Sequence, residues 1–259
     1  MKHKMNILLL VLALFISGSG SAFGISYFGY DEFGGTWHDA DKDWDGDRLL
    51  CWAAVASNIL DWGGWGVSDY NTESSIFDNY EDHWTDRPGL PIYAFWWWFY
   101  GEDISSDFPW EPSVDVAGGG NYFSDCNFYD YYHEYWENDT MSAIDDYLHA
   151  GYGVNMTIYS FTGGHALTAW GFEYDENGDY IGVYVTDSDD NRWGASGLQY
   201  YSVSWNDSYD RWDIGDGMYS GWHIGGVMAL GRNTIPEPGT IILVSFGLLG
   251  LAWLRLKYM

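Results

Sequence analysis

The stretch Asp175-Glu176-Asn177-Gly178-Asp179 constrains this chain more than any other, because Asn-Gly accepts the positive φ that a tight reversal between two strands demands. On either side lie Ala166–Tyr174 and Ile181–Thr186, rich in β-formers and aromatic residues. Together they predict an antiparallel hairpin, and Gly153–Tyr159 predicts a further strand upstream. In a hairpin, the start of the first strand lies beside the end of the second. His165 stands at that start, behind Gly163-Gly164, and Asp187 stands at that end. The turn therefore predicts that an imidazole and a carboxylate are neighbours.

The first half of the chain reads differently. In Cys51–Trp62 the residues Val55, Ile59 and Trp62 recur at helical spacing, and Gly63-Gly64 stops the run. Cys51 opens this helix. A thiol there faces unpaired backbone N–H groups and the positive end of the helix dipole, which favour the nucleophilic thiolate. A second helix is expected over Met141–His149, with Gly151 as its stop. Residues 69–135 are irregular and rich in Tyr, Trp and Phe, and Phe95-Trp96-Trp97-Trp98-Phe99-Tyr100 reads as a helix packed on the core, with a carbohydrate-stacking patch as the alternative. Helices first and antiparallel strands afterwards predict an α+β class within one domain spanning residues 23–235.

Both ends carry addresses. Met1-Lys2-His3-Lys4, the apolar Ile7–Ile16 and the small residues Ser17–Ala22 have the layout of a secretory signal peptide, expected to end at Ala22. At the other end, Pro236-Glu237-Pro238 precedes an apolar stretch from Thr240 to Leu254 and the basic tip Arg255-Leu256-Lys257. This layout resembles a PEP-CTERM sorting signal over residues 236–259, which implies an exosortase partner in a Gram-negative envelope. The expected localisation is the cell envelope or outer surface, with transient inner-membrane anchoring through residues 240–254; a plain single-pass anchor is the alternative. The formal net charge is -28, and residues 23–235 hold 6 basic against 37 acidic residues. Nucleic-acid binding needs clustered Lys and Arg, so this balance argues against it. With 20% aromatic and 47% hydrophobic residues the chain can bury a core despite its charge.

A catalytic thiolate needs an imidazole to pair with it and to protonate the leaving amine, and that imidazole needs a carboxylate or amide to fix its tautomer. Cys51, His165 and Asp187 supply the three, in the chain order used by papain-like enzymes. The block Asp47–Ala54 with Asn58–Trp62 is similar to the nucleophile helix of the IdeS/Mac family, the immunoglobulin-degrading cysteine endopeptidases of streptococci. Gly164–Asp175 resembles that family's histidine strand, and Ile181–Asp189 continues the likeness, with 22 residues from His165 to Asp187. The resemblance implies a papain-like cysteine peptidase with its nucleophile helix packed on an antiparallel sheet. It implies Cys51 as nucleophile, His165 as base and acid, Asp187 as orienting residue and Asp189 as its support. It also implies an oxyanion-stabilising lysine upstream of the cysteine, for which Lys42 is the candidate beside the Cys51 N–H. Trp52 departs from the family's glycine, and the 114 residues between Cys51 and His165 are fewer than in the streptococcal enzymes, so their substrate-binding region does not carry over.

Other readings stay open at this level. Cys51 and Cys126 could form a disulfide in an exported protein. Asp41-Lys42-Asp43-Trp44-Asp45-Gly46-Asp47 matches the first half of a calcium loop, but the twelfth position is Trp52 rather than a bidentate Glu, and a solvated acidic loop carrying Lys42 is preferred. No zinc motif and no other cofactor motif is present, so none is expected. The expected partners are a protein or peptide substrate, the secretion machinery and the exosortase. Rival functions are a non-enzymatic surface or matrix protein, and an acyl or isopeptide transferase built on the same residues.

Overall fold

The computed structural model describes residues 24–105 and 108–233. In chain order the elements are β1 (Ile25–Phe28), α1 (Gly29–Phe33), α2 (Cys51–Trp62), α3 (Glu73–Glu81), α4 (Pro91–Tyr100), β2 (Tyr132–Tyr135) and α5 (Thr140–His149). They continue with β3 (Gly153–Ser160), β4 (Gly163–Tyr174), β5 (Tyr180–Thr186), β6 (Gln199–Asn206), β7 (Arg211–Ile214) and β8 (His223–Leu230). Local chemistry accounts for several boundaries. Thr72 and Ser75 exchange a capping box at the start of α3. Pro91 opens α4, and Gly101, at φ 70°, closes it by donating its N–H to the Trp97 carbonyl. The turn after β4 reverses on Gly178, at φ 86°, with the Asp175 N–H bonded to the Asp179 carbonyl at 2.9 Å.

Every pairing in the sheet is antiparallel. Strand β4 pairs with β3 and β5, β5 with β6, β6 with β7, β7 with β8, and β8 returns to β3. Six strands thus close into a barrel, while β1 extends the ladder of β4 and β2 that of β8. This corrects the papain-like α+β expectation of a nucleophile helix packed on an antiparallel sheet. The sequence disclosed β3, β4 and β5, three strands of an apparently open sheet. Closure depends on β6, β7 and β8, and β7 is four residues long and meets β8 through the single register pair Asp213↔His223. So short a seam has no local sequence signature.

Two cores result. All six barrel strands turn one set of residues inward, among them Val154, Ile158, Leu167, Val185, Val203, Ile214 and Val227, and α5 adds Met141, Ile144 and Leu148. Alternation along a strand sends the intervening residues outward. Those on β4 and β8, including Ala166 and Met228, join a second core made by α2, α3 and α4. There Phe95, Trp97, Trp98 and Phe99 are buried, so the aromatic run on α4 is core rather than a stacking surface. Helix α2 approaches β3 so closely that a Cβ on Gly153 would lie 2.8 Å from the Cγ2 of Ile59.

Candidate active site

Three segments meet at the mouth of the barrel. The first is the N-terminus of α2, where the Leu50 carbonyl accepts from the Ala53 and Ala54 N–H groups and the Cys51 N–H, in the first turn, has no intrahelical acceptor. The second is the start of β4, whose His165 pairs in register with Ile158 of β3. The third is the loop after β5, which begins with Asp187. His165 lies in phase with the inward-facing Leu167, and its ring stacks on Tyr219 with centroids 5.4 Å apart.

His165 Nε2 donates to Asp187 Oδ1 at 2.7 Å, and the Cys51 thiol is in hydrogen-bond contact with the same imidazole. With Nε2 committed to the carboxylate, Nδ1 is the nitrogen left for sulfur. Asp187 is fully buried and every oxygen is used: Oδ1 also accepts the Asp189 N–H at 3.0 Å, and Oδ2 accepts the Tyr219 hydroxyl at 2.7 Å. These bonds outweigh the opposing effect of burial and hold the Asp187 carboxyl below its usual range. Burial pushes the Cys51 thiol up, but the His165 charge, the Lys42 ammonium and the Ala166 N–H overcome it, and the net direction is down. Burial pushes His165 down, yet the thiolate and Asp187 carry it well above the ordinary histidine value. The pair favours thiolate and imidazolium together.

Lys42 is only 1% exposed. Its ammonium donates to the Arg48 carbonyl at 2.9 Å, forms an ion pair with Asp189 Oδ1, and lies 4.8 Å from the centre of the Trp44 ring. Asp189 therefore contacts Asp187 through its backbone and Lys42 through its side chain. The Lys42 segment is laced along the loop after β5: its N–H donates to the Ser188 carbonyl at 3.1 Å, and Asn191 Nδ2 donates to its carbonyl at 2.7 Å. Asp47 turns both oxygens onto the N–H groups of Asp43 and Trp44, at 2.7 and 2.8 Å, so this acidic loop is braced from within. Both cysteines are free, so the disulfide alternative is not realised. Burial and Asp125 hold the Cys126 thiol up, opposite in direction to Cys51.

Two contributors had escaped the sequence reading. Tyr219 lies in a short 3-10 turn between β7 and β8, 32 residues beyond its partner Asp187, with no motif around it. Asn58 is buried on α2, accepts the Ala40 N–H at 2.8 Å and donates to Thr168 Oγ1 at 3.0 Å, joining α2 to β4 and to the segment leading to Lys42. Its helical position gave a signal of sorts, since an Asn among Ala, Val and Ile requires a buried partner. The cleft above these groups has a volume of about 710 Å³ and is lined by Cys51, His165, Lys42 and Asp189, with Tyr93, Tyr159 and Trp222 as aromatic walls.

Fold and site together define a barrel protein with a cysteine–histidine–carboxylate centre in an open cleft. The Mac 1 family model matches residues 127–211, which contain His165, Asp187 and Asp189 and begin after Cys51. A PEP-CTERM protein-sorting motif matches residues 234–256. The resemblance to the IdeS/Mac family and the sorting signal are both shown by these matches. The matched family is related to cysteine peptidases, and the sorting motif indicates export to the cell envelope or surface with recognition by an exosortase. No curated protein matches the chain. The expected signal peptide and the apolar stretch 240–254 lie outside the described residues, and among the described residues no helix is long and apolar enough to cross a membrane.

Proposed function

We propose that this chain is an exported cysteine endopeptidase, with residues 1–22 removed as a signal peptide and residues 23–235 acting as the peptidase domain. The Cys51 thiolate adds to the scissile carbonyl. The resulting oxyanion is met by the Cys51 N–H and by Lys42, which has three N–H donors and places two of them on Arg48 and Asp189. The carbon–nitrogen bond then breaks as imidazolium His165 gives its proton to the departing amine, leaving a thioester. Water, losing a proton to His165, attacks the thioester and returns the acid product and the thiolate. Asp187 keeps the imidazole in one orientation throughout, and Tyr219 and the Asp189 N–H keep Asp187 fixed. The observation that carries this reading is the unbroken hydrogen-bonded series from Cys51 through His165 to a fully buried carboxylate.

Cys51→Ala should abolish cleavage of a casein-type substrate while leaving the thermal transition in place; undiminished cleavage would overturn the reading. The pH dependence of Cys51 alkylation by iodoacetamide separates a peptidase from a binding protein that keeps the fold. Because the thiol is held down and the imidazole up, alkylation should already be fast below the ordinary thiol range and stay flat through neutrality. His165→Ala removes the largest favourable influence while burial remains, so the rising limb should move upward. An unmoved limb would mean that the two groups do not act together. Hydrolysed rather than cross-linked products, read by mass spectrometry, exclude the transferase alternative.

A further inference from the structure

Beyond the Lys42 segment lies a second group of carboxylates that the proposed chemistry does not use. Asp39, Asp41 and Asp190 converge so that one oxygen of each lies within 4.8 Å of the others. Asp190 is 2% exposed, and its Oδ1 has no hydrogen-bond partner; the Oδ1 of Asp39 is likewise buried and without a donor. Their second oxygens are used: Asp190 Oδ2 accepts from Gln199 Nε2 at 3.4 Å, and Asp39 Oδ2 accepts the Gly197 N–H at 2.8 Å. Lys42, next in sequence to Asp41, is committed to Asp189 and Arg48.

Anionic oxygens removed from water without a donor or cation are strongly disfavoured. Two other acidic sites find donors. Asp47 is satisfied by backbone N–H groups, and Asp61 and Glu73 share the ring of His38, at 2.9 and 3.3 Å. Among the described residues, only Asp39 and Asp190 hold buried carboxylate oxygens with neither a donor nor a cation.

We propose that Asp39, Asp41 and Asp190 bind one calcium ion. The donors are all oxygen, with no imidazole or thiolate, which suits a hard cation, and Asp41 is exposed, so solvent can fill the coordination positions the protein leaves. The ion would join the segment carrying Lys42 to the loop carrying Asp187 and Asp189, because Asp41 precedes Lys42 and Asp190 follows Asp189. It acts as a clamp on the Lys42–Asp189 pair, and its binding does not depend on what reaction Cys51 performs.

The test is calorimetric titration of the chelator-stripped full chain with calcium chloride at pH 7.5, alongside thermal melting. The expected result is one ion per chain with Kd of about 10⁻⁴–10⁻³ M, the range of extracellular calcium modules. The melting temperature should rise by roughly 3–10 °C at 10 mM calcium. Asp190→Asn and Asp41→Asn should each weaken binding at least tenfold, whereas Asp45→Asn in the neighbouring acidic loop should leave it unchanged. If Asp190→Asn fails to fold, the exposed Asp41→Asn decides. No binding heat and no thermal shift at 10 mM would overturn the proposal, with the group then sharing protons instead. Binding lost in Asp45→Asn but kept in Asp41→Asn would overturn it equally, by placing the ion in the Asp43–Asp47 loop.

Discussion

The helical region and the barrel hold themselves together by different means, and the candidate site lies on the line between them. In the barrel, strand ladders satisfy the backbone and a period of two delivers mostly aliphatic side chains to the interior. The helical region has long irregular connections, and there aromatic side chains carry polar handles to the backbone. Trp98 Nε1 donates to the Trp65 carbonyl at 2.9 Å, Trp65 Nε1 to the Gly231 carbonyl at 2.7 Å, and the Tyr80 hydroxyl to the Ala94 carbonyl at 3.0 Å. Each such ring buries a large apolar area and ties down a loop carbonyl at once. In that region the tryptophans tie down backbone that regular structure does not. Cys51 belongs to the aromatic side of the line, His165 and Asp187 to the barrel side.

The comparison is tested most severely by emptying each core. Trp98→Ala should destabilise by about 3–5 kcal/mol, since it removes a buried ring and leaves the Trp65 carbonyl unpaired, and Leu167→Ala in the barrel by about 2–5 kcal/mol. Because α2 packs directly against β3 and β4, both variants should melt in one shifted transition. Two separate calorimetric transitions would show that the cores are independent and that the line between them is weak. Asn58→Ala strikes the line itself. It frees the Ala40 N–H and the Thr168 hydroxyl, and should cost about 1–3 kcal/mol. Displacing α2 relative to β4 should also lower kcat about tenfold or more with KM little changed; an unchanged kcat would confine Asn58 to a structural role. The smallest effect is expected for Tyr219→Phe, which keeps the ring on His165 but removes the hydroxyl from Asp187. There kcat should fall about 3- to 10-fold at constant KM, the worth of one hydrogen bond of roughly 1 kcal/mol. A change confined to KM would place Tyr219 at the substrate instead.

Legibility followed the range of the interactions. Helix α2 begins at Cys51 and ends at Trp62, where its spacing and the Gly63-Gly64 stop had placed it. The Asn177-Gly178 turn brought His165 and Asp187 together across adjoining strands, because a hairpin's register follows from its turn. Closure of the barrel was illegible. It depends on β8 returning to β3 across some seventy residues, a pairing that no local pattern records. Tyr219 was illegible for the same reason, and Lys42 entered only through a family likeness. Its burial depends on Ser188, Asn191 and Asp189 from far along the chain.

The sequence by itself determined the sorting motif at its C-terminal end, the helix that begins at Cys51 and the hairpin that pairs His165 with Asp187. Each of those features is written within some twenty residues, where propensity, capping and turn chemistry act without help. Only the tertiary structure decided that the sheet closes, that Cys51 turns toward His165 rather than Cys126, and that Lys42 is clamped by Asp189. It also decided that three aspartates from two distant segments converge on one another. Such outcomes rest on burial and on charges that meet across more than a hundred residues, and these acquire their energies only when the two cores close on each other.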